Sequence, residues 1–377
     1  MTTGKDLSVC LIGTGYMGKC HALAWNAVAP TFEDVPRPRL ELLVEVNEQL
    51  AARRANELGF ARSTGDWRSA VADPNVDVVS IASPTWFHAE MAIAALASGK
   101  HVWCEKPMSL KLSDSEKMAD DAAKAGTKVV LGYNYIQNPA IRLMKKLIQE
   151  GEIGEVNHVR VEMDEDYMAD PDTPYNSFFS GPQAGGALEE FGVHPLSLLQ
   201  VLVGDVAAAC ADQWKPYATR HDADGVNQPV ATHDIAGALL RLDNGNGSSG
   251  VFAVNRAAWG RKGRLVIQLY GSRGSIYYDQ ERLNEMRLYT LSGDPALHGY
   301  RNILSGPLHP PYQKFVPTPG HGLGFNDLKV IECRELLRAI AGEPAHVIDF
   351  NKGLRIERSI DALARSVKSR AWEQVIQ

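Results

Sequence analysis

The chain lacks a long apolar run, a basic stretch and any close pair of cysteines, and each lack removes a class of function. A membrane span needs about 20 consecutive apolar residues, and none is present. Lysine and arginine total 39 against 45 acidic residues, giving a net charge of −6 with no basic cluster. No nucleic-acid partner and no membrane partner are therefore expected. The five cysteines, Cys10, Cys20, Cys104, Cys210 and Cys333, are scattered and odd in number. They outline neither a zinc site nor a disulfide framework, so no metal is expected and the chain reads as reduced. Met1 to Asp6 runs straight into an apolar strand with no room for a signal peptide, which points to a cytoplasmic protein. Internal repeats and low-complexity tracts are also absent. What is left is 377 residues, 45% hydrophobic and 22% charged, an ordinary globular composition with length for two domains.

Against that background one segment stands out. Gly13-Thr14-Gly15-Tyr16-Met17-Gly18 follows the apolar Leu7–Ile12 and precedes a helix-forming stretch from Tyr16 to Ala29. Gly13 suits a tight turn, Gly15 lets the backbone approach a pyrophosphate, and Gly18 lets the helix pack closely on the strand. Tyr16 and Met17 open the helix, whose free N–H groups and partial positive charge favour phosphate. The alternative is a plain strand–turn–helix without ligand. Leu40–Val44 reads as the second strand, and Glu45 ends it. A carboxylate there accepts hydrogen bonds from ribose hydroxyls and repels a 2′-phosphate, which favours NAD over NADP. The long gap from Gly18 to Glu45 is explained by a loop marked by Pro30, Pro36 and Pro38.

Strands and helices alternate through the first third. Helices are expected over Glu48–Leu58, Asp66–Ala72, Pro84–Ser98 and Ser113–Ala125, the last with a capping box of Ser113 and Glu116. Strands are expected over Val76–Ala82, His101–Cys104 and Lys128–Tyr133. Such alternation gives a doubly wound parallel sheet. Asn138-Pro139 then opens a helix to about Glu150, and the pattern changes to period-2 alternation. Strands are read near Val156–Met163, Val206–Trp214, Asp234–Leu242, Ser248–Val254, Leu265–Tyr270 and Ser275–Tyr278, with a hairpin turn at Asp243–Gly247. Helices over Phe325–Ala341 and Asn351–Lys368 close the chain. The fold class is α/β with an added α+β domain carrying a large, mostly antiparallel open sheet, with the boundary near Asn134: residues 1–134, then 135–377.

Four segments carry chemistry. Ser83-Pro84, after the strand ending at Ile81, lies where a loop passes the nicotinamide ribose, and His88 follows on the next helix, either touching cofactor or packing. Glu105-Lys106-Pro107 ends the strand His101–Cys104 and brings an ammonium to the same sheet edge; the alternative is a surface lysine paired with Glu105. Glu190 and His194 are four apart, so on a continuous helix they share a face, a spacing suited to a general base beside a carboxylate. Pro195 threatens that continuity. The Gly- and Pro-rich stretch Pro317–Asp327 carries His321, and such loops either confer specificity or cap the next helix. Tyr133 and Asn134, at the end of the last parallel strand, and Asp166 in Asp164–Met168 join Lys106, His194 and His321 as substrate-side candidates.

Together, Gly13–Gly18, Asp77–Pro84, Gly99–Pro107 and Gly185-Gly186-Ala187-Leu188 through His194 resemble the Gfo/Idh/MocA family over nearly the whole chain. The resemblance implies a Rossmann domain, an α/β domain whose open sheet serves in homodimers or homotetramers, and reversible hydride transfer between NAD and a carbinol of a sugar, glycoside or cyclitol. It places Lys106, Glu190 and His194 in the active site. The family usually carries Asp at the positions of Glu190 and Ser197. Two other functions stay open: glycoside cleavage through transient oxidation on tightly held NAD, and a non-catalytic NAD-binding sensor. A third, an NADPH-dependent aldehyde or imine reductase, is disfavoured by Glu45.

Overall fold

Short buried strands separated by helices build the first half. A computed structural model describes residues 6–176, 179 and 184–376; Met1–Lys5, on which the reading of the N-terminus above rests, lies outside the described residues. The first elements in chain order are β1 (Ser8–Ile12), α1 (Tyr16–Thr31), β2 (Arg39–Val44), α2 (Glu48–Leu58), β3 (Arg62–Thr64), α3 (Trp67–Ala72), β4 (Val78–Ile81), α4 (His88–Ala97), β5 (His101–Cys104), α5 (Leu112–Ala125) and β6 (Val129–Leu131). The six strands form one parallel sheet in the order β3-β2-β1-β4-β5-β6. Strand order reverses between β1 and β4, the switch point at which doubly wound sheets bind ligands. Every residue of β1 and β4 is buried, as expected for strands covered on both faces.

Local chemistry sets the helix ends. Asn47 accepts from Leu50 N–H at the start of α2, and Gly59 closes that helix in the left-handed region. Asp66 caps α3 through Arg68 N–H. The expected capping box at Ser113 and Glu116 does not form, because α5 begins one residue earlier and places Ser113 inside the first turn. The Ser109 hydroxyl shapes that turn instead, bonding the Lys111 carbonyl and Ser115 Oγ. The stretch from Pro84 divides into a 3-10 turn at Thr85–Phe87 and then α4.

The remaining elements are α6 (Pro139–Gln149), β7 (Val156–Glu165), α7 (Ala187–Phe191), α8 (Val193–Leu202), β8 (Asp205–Trp214), β9 (Thr219–His221), β10 (Asn227–Pro229), β11 (Ile235–Asp243), β12 (Ser249–Asn255), β13 (Lys262–Gly271), β14 (Gly274–Asp279), β15 (Glu285–Thr290), β16 (Arg301–Leu304), α9 (Phe325–Ile340), α10 (Phe350–Ser369) and β17 (Glu373–Gln374). Nine of these strands form a sheet in the order β16-β15-β14-β13-β7-β12-β11-β8-β17. All its pairs are antiparallel except β7 with β12. Val159, Val161 and Met163 of β7 are buried, while Arg160 points to the other face and is exposed. Leu239 and Trp214 also stand exposed on this sheet.

The chain divides into two compact units. The first runs to Gln137 and takes in 310–317 and 323–354; the second comprises 138–309, 318–322 and 355–377. The first break, at Gln137, lies close to Asn134. Among the described residues, no helix is long and apolar enough to cross a membrane, and no cluster of His, Cys, Asp and Glu suits a metal ion.

Candidate active site

In the first unit, the carboxyl ends of the parallel strands gather most of the residues singled out in the sequence. Gly13, directly after β1, has a positive φ of 88°, and a Cβ there would lie 2.7 Å from the Ala82 carbonyl oxygen. Gly18 approaches the Gly13 carbonyl so closely that any side chain would overlap it. Gly15 has open space on its side-chain side and caps α1 without a side-chain bond, and the first turn of α1 contains no acidic residue. The N-terminus of α1 is thus a set of N–H donors with room beside it and no acidic residue in its own first turn, a fit for a dinucleotide pyrophosphate. Tyr16 is exposed and stacks on Phe325 at 5.8 Å; Met17 is half-buried.

Glu45 lies at the end of β2 with its carboxylate turned to the glycine loop. Oε1 accepts from Thr14 N–H at 2.7 Å and from the Thr14 hydroxyl, while Oε2 accepts from Val46 N–H. Ser83 is half-buried and Pro84 exposed. His88 is buried, with Nδ1 2.8 Å from the Pro107 carbonyl and Nε2 2.9 Å from the Ser83 carbonyl. Its ring therefore ties the Ser83 loop to the Lys106–Pro107 loop rather than presenting a nitrogen outward. Lys106 is half-buried, and its bond to Pro107 is cis. Tyr133 and Asn134 are buried just past β6, and Asn134 Nδ2 has no hydrogen-bond partner among the described residues.

Glu105 is buried and meets a group of residues that sequence reasoning missed. Its Oε1 lies 2.8 Å from His21 Nε2 and 2.5 Å from Lys329 Nζ. Lys329 also donates to Glu332 Oε2 at 2.8 Å, and the Trp103 indole N–H reaches the same oxygen at 3.2 Å. His21 Nδ1 is 2.8 Å from Ser80 Oγ, which accepts from the Trp25 indole. The His21 ring stacks on Trp103 at 3.8 Å. Burial alone would raise the Glu105 carboxyl, but the Lys329 charge and the His21 hydrogen bond hold it well below the usual carboxylate range. Burial would lower Lys329, but Glu105 and Glu332 keep it above its ordinary value. Burial pushes Glu332 up to about 7 against the pull of Lys329, and lowers His21 to about 4. The available sequence signal was the pair Lys329 and Glu332, three apart amid the apolar Leu328, Val330, Ile331 and Leu336.

In the second unit, Glu190 is the last residue but one of α7 and His194 the second of α8, with Gly192 between the helices in right-handed helical geometry. Pro195 falls in the first turn of α8, where it removes no helical hydrogen bond. Glu190 folds back across Gly185: a Cβ on that glycine would stand 2.8 Å from Glu190 Cγ and Oε1. His194 is buried, and Ser197 donates to its carbonyl at 2.7 Å. The turn leading into α7 is held from several sides. Ala187 N–H donates to the His233 carbonyl at 2.8 Å, and Gly186 N–H to Glu189 Oε2 at 2.9 Å. Arg256 donates to the Gly185 carbonyl at 3.1 Å and pairs with Asp234 at 2.6 Å, both side chains 1% exposed. Tyr167, 45% exposed, packs on Phe191 at 5.7 Å. Asp166 is taken up by Lys262 at 2.5 Å and Gly260 N–H at 3.2 Å. The Lys262 hydrogen bond lowers its carboxyl. His321 is exposed between Gly320 and Gly322, both of positive φ.

Residues 7–133 match the oxidoreductase family with an NAD-binding Rossmann fold, GFO/IDH/MocA, and residues 141–277 match the C-terminal domain of the same group. Levoglucosan dehydrogenase of Pseudarthrobacter phenanthrenivorans is 34% identical over 99% of both chains. A solved levoglucosan dehydrogenase in complex with NADH, 34% identical, superposes with a TM-score of 0.94 over 99% of this chain and 100% of that one. An NAD-binding oxidoreductase from Klebsiella pneumoniae is 36% identical, with a TM-score of 0.95 and the same coverage. Myo-inositol 2-dehydrogenase of Thermotoga maritima is 27% identical over 76% of this chain and 80% of its own.

Proposed function

Because the chain belongs to the Gfo/Idh/MocA oxidoreductase family, we propose that it is an NAD-dependent dehydrogenase oxidising a secondary hydroxyl of a sugar or polyol, with levoglucosan the first substrate to try. The observation that carries the cofactor preference is Glu45, folded onto Thr14 beside the uncapped start of α1. A carboxylate in that place receives the ribose hydroxyls of NAD and repels the extra phosphate of NADP. Gly13, Gly15 and Gly18 with the first N–H groups of α1 hold the pyrophosphate. Ser83, Pro84 and Lys106 flank the nicotinamide ribose.

NAD, when bound, supplies the hydride acceptor. Every other task belongs to the side chains. Lys106 donates a hydrogen bond to the carbinol oxygen and stabilises the negative charge that grows there. His194 takes the hydroxyl proton as general base. Glu190 orients His194 or a neighbouring substrate hydroxyl, and its extra methylene relative to Asp is accommodated by the bare backbone of Gly185. Asn134, whose amide nitrogen lacks a partner among the described residues, is a donor for a further hydroxyl. Tyr133, Asp166 and His321 complete the substrate-side set. The exposed Leu239 and Trp214 on the nine-stranded sheet support a homodimer or homotetramer built through that face. The free cysteines, four of them buried, agree with a cytoplasmic setting.

The test is absorbance in the reduced-nicotinamide band, with the purified chain, NAD or NADP, and levoglucosan, myo-inositol, free sugars and glycosides. A sugar-dependent rise with NAD is expected. A rise confined to NADP overturns the cofactor assignment, and no rise with any of them overturns the dehydrogenase.

A further inference from the structure

We infer that Lys329 and Glu332 are positioning residues for the turn that carries Lys106. The inference rests on the assignment of Lys106 to the carbinol oxygen. Glu105 and Lys106 are consecutive, and the first is buried while the second is half-buried. Two anchors fix the turn from within the unit: Glu105 N–H donates to the Ile81 carbonyl at 2.9 Å, and the Glu105 carboxylate is held by Lys329 and His21. The second anchor is directional. The ionised Glu105 can only accept, which assigns the proton of the neutral His21 ring to Nε2 and leaves Nδ1 to accept from Ser80 Oγ, itself an acceptor from Trp25. From the other side Lys329 bridges Glu105 and Glu332, and Glu332 accepts from Trp103. Trp103 lies on β5, the strand whose end is Glu105, so the bridge pins the strand and the turn together.

Packing alone does not call for this arrangement. An apolar cluster of similar shape would stabilise the sheet as well or better, because taking ions out of water is costly. The ions do fix one thing an apolar cluster would not: the direction of the Glu105 carboxylate, and with it the exit of Lys106. Misplacing a group that meets the reacting atoms by about 1 Å costs about 100-fold in rate. Lys329 is shared between two carboxylates. Protonating Glu332 leaves it wholly to Glu105, whereas ionising Glu332 draws it away. The titratable groups around Glu332 are Lys329 and Cys333 on α9 and Glu105 at the end of β5. Cys20 and His21 on α1 face Lys329 and Glu105, and Cys104 faces Glu105. Glu332 is the group among them whose ionisation falls near 7.

The experiment uses the whole chain with Lys329→Met and Glu332→Gln. Turnover and KM are measured with NAD and the sugar that responds, NADH binding by nicotinamide fluorescence, and the exposure of Lys106 by its acetylation rate with acetic anhydride, read by mass spectrometry. Lys329→Met is expected to lose about 100-fold in kcat with NADH binding nearly intact and the Lys106 acetylation rate changed. Glu332→Gln keeps its hydrogen bonds but cannot ionise, so the ratio of its kcat to that of the parent rises as pH passes through 7. A Lys329→Met protein with parental kcat and parental Lys106 acetylation overturns the inference. If that variant does not fold, a flat kcat ratio for Glu332→Gln overturns it. Lys106→Ala separates the two readings: undiminished turnover there removes Lys106 from the chemistry, while the acetylation rate still reports whether Lys329 places it.

Discussion

Gly132 leaves empty the space that the Glu105 carboxylate fills. A Cβ at Gly132 would overlap both Oε1 and Cδ of Glu105, so β6 and the end of β5 can adjoin only with glycine there. Gly132→Ala must push a buried, paired carboxylate aside. The expected loss is about 1–3 kcal/mol of stability, the usual cost of overpacking. Urea unfolding measures it, and turnover should fall further than NADH affinity does.

Replacing Lys106 removes the proposed donor to the carbinol oxygen. Lys106→Ala should lower kcat by about 100-fold or more, the scale of losing one oxyanion donor. The pyrophosphate contacts lie at Gly13, Gly15 and the start of α1, so NADH binding by fluorescence should stay close to parental.

Glu45 is held by Thr14 N–H and hydroxyl, which keeps its carboxylate where a ribose would meet it. Glu45→Ala removes the ribose acceptor and the charge opposing a 2′-phosphate. The NAD-to-NADP ratio of kcat/KM should fall by about tenfold, or about 1.4 kcal/mol. Initial rates with the two cofactors check it.

His21 makes the first unit sensitive to acid. Burial lowers its folded value to about 4 from 6.5, so between those values the unfolded chain binds the extra proton and the folded chain does not. Stability from this group is complete above 6.5 and is lost as pH falls toward 4. The loss is on the order of 3 kcal/mol. The depressed Glu105 carboxyl adds a loss of the same sign at lower pH. Urea unfolding over this range should show a decline that is shallower in His21→Gln.

Arg256 and Asp234 form a buried pair behind the Glu190 turn. Arg256→Met strands the Asp234 charge and releases the Gly185 carbonyl. Stability should fall by about 3–5 kcal/mol, with KM for the sugar rising. Adding Asp234→Asn should recover part of the stability, since the stranded charge is then gone. Thermal unfolding of the single and double variants tests this.

Where an element carries its own start and stop signals, the sequence was enough. Asn47 and Gly59 bracket Glu48–Leu58 residue for residue, and Gly13 and Glu45 sit at strand ends marked by apolar runs. The sheet of the second unit was harder. β13 begins at Lys262, three residues before the apolar Leu265, and β15 and β16 carry Glu285, Arg287, Arg301 and Asn302, so alternation alone does not outline them. The parallel pairing of β7 with β12 is a tertiary outcome that no local pattern encodes. The same holds for Lys329, which is 224 residues from Glu105 and becomes its partner only through the fold. Ser113 shows the opposite error, a good local capping signal that lost to the Ser109 turn.

Residues 323–354 return to the first unit, supplying Lys329 and Glu332 and, through the Ile348 carbonyl, a partner for Leu131 N–H at 2.9 Å. This separates the order of translation from the order of folding. The ribosome emits β1 to β6 early, yet the nucleotide-binding half stays unfinished until the chain has passed Ile348. A nascent or prematurely terminated polypeptide ending before Lys329 carries a Glu105 carboxylate without its ammonium and a Trp103 indole without its acceptor. Such a fragment holds all six strands of the parallel sheet but lacks the returning segment that completes the unit.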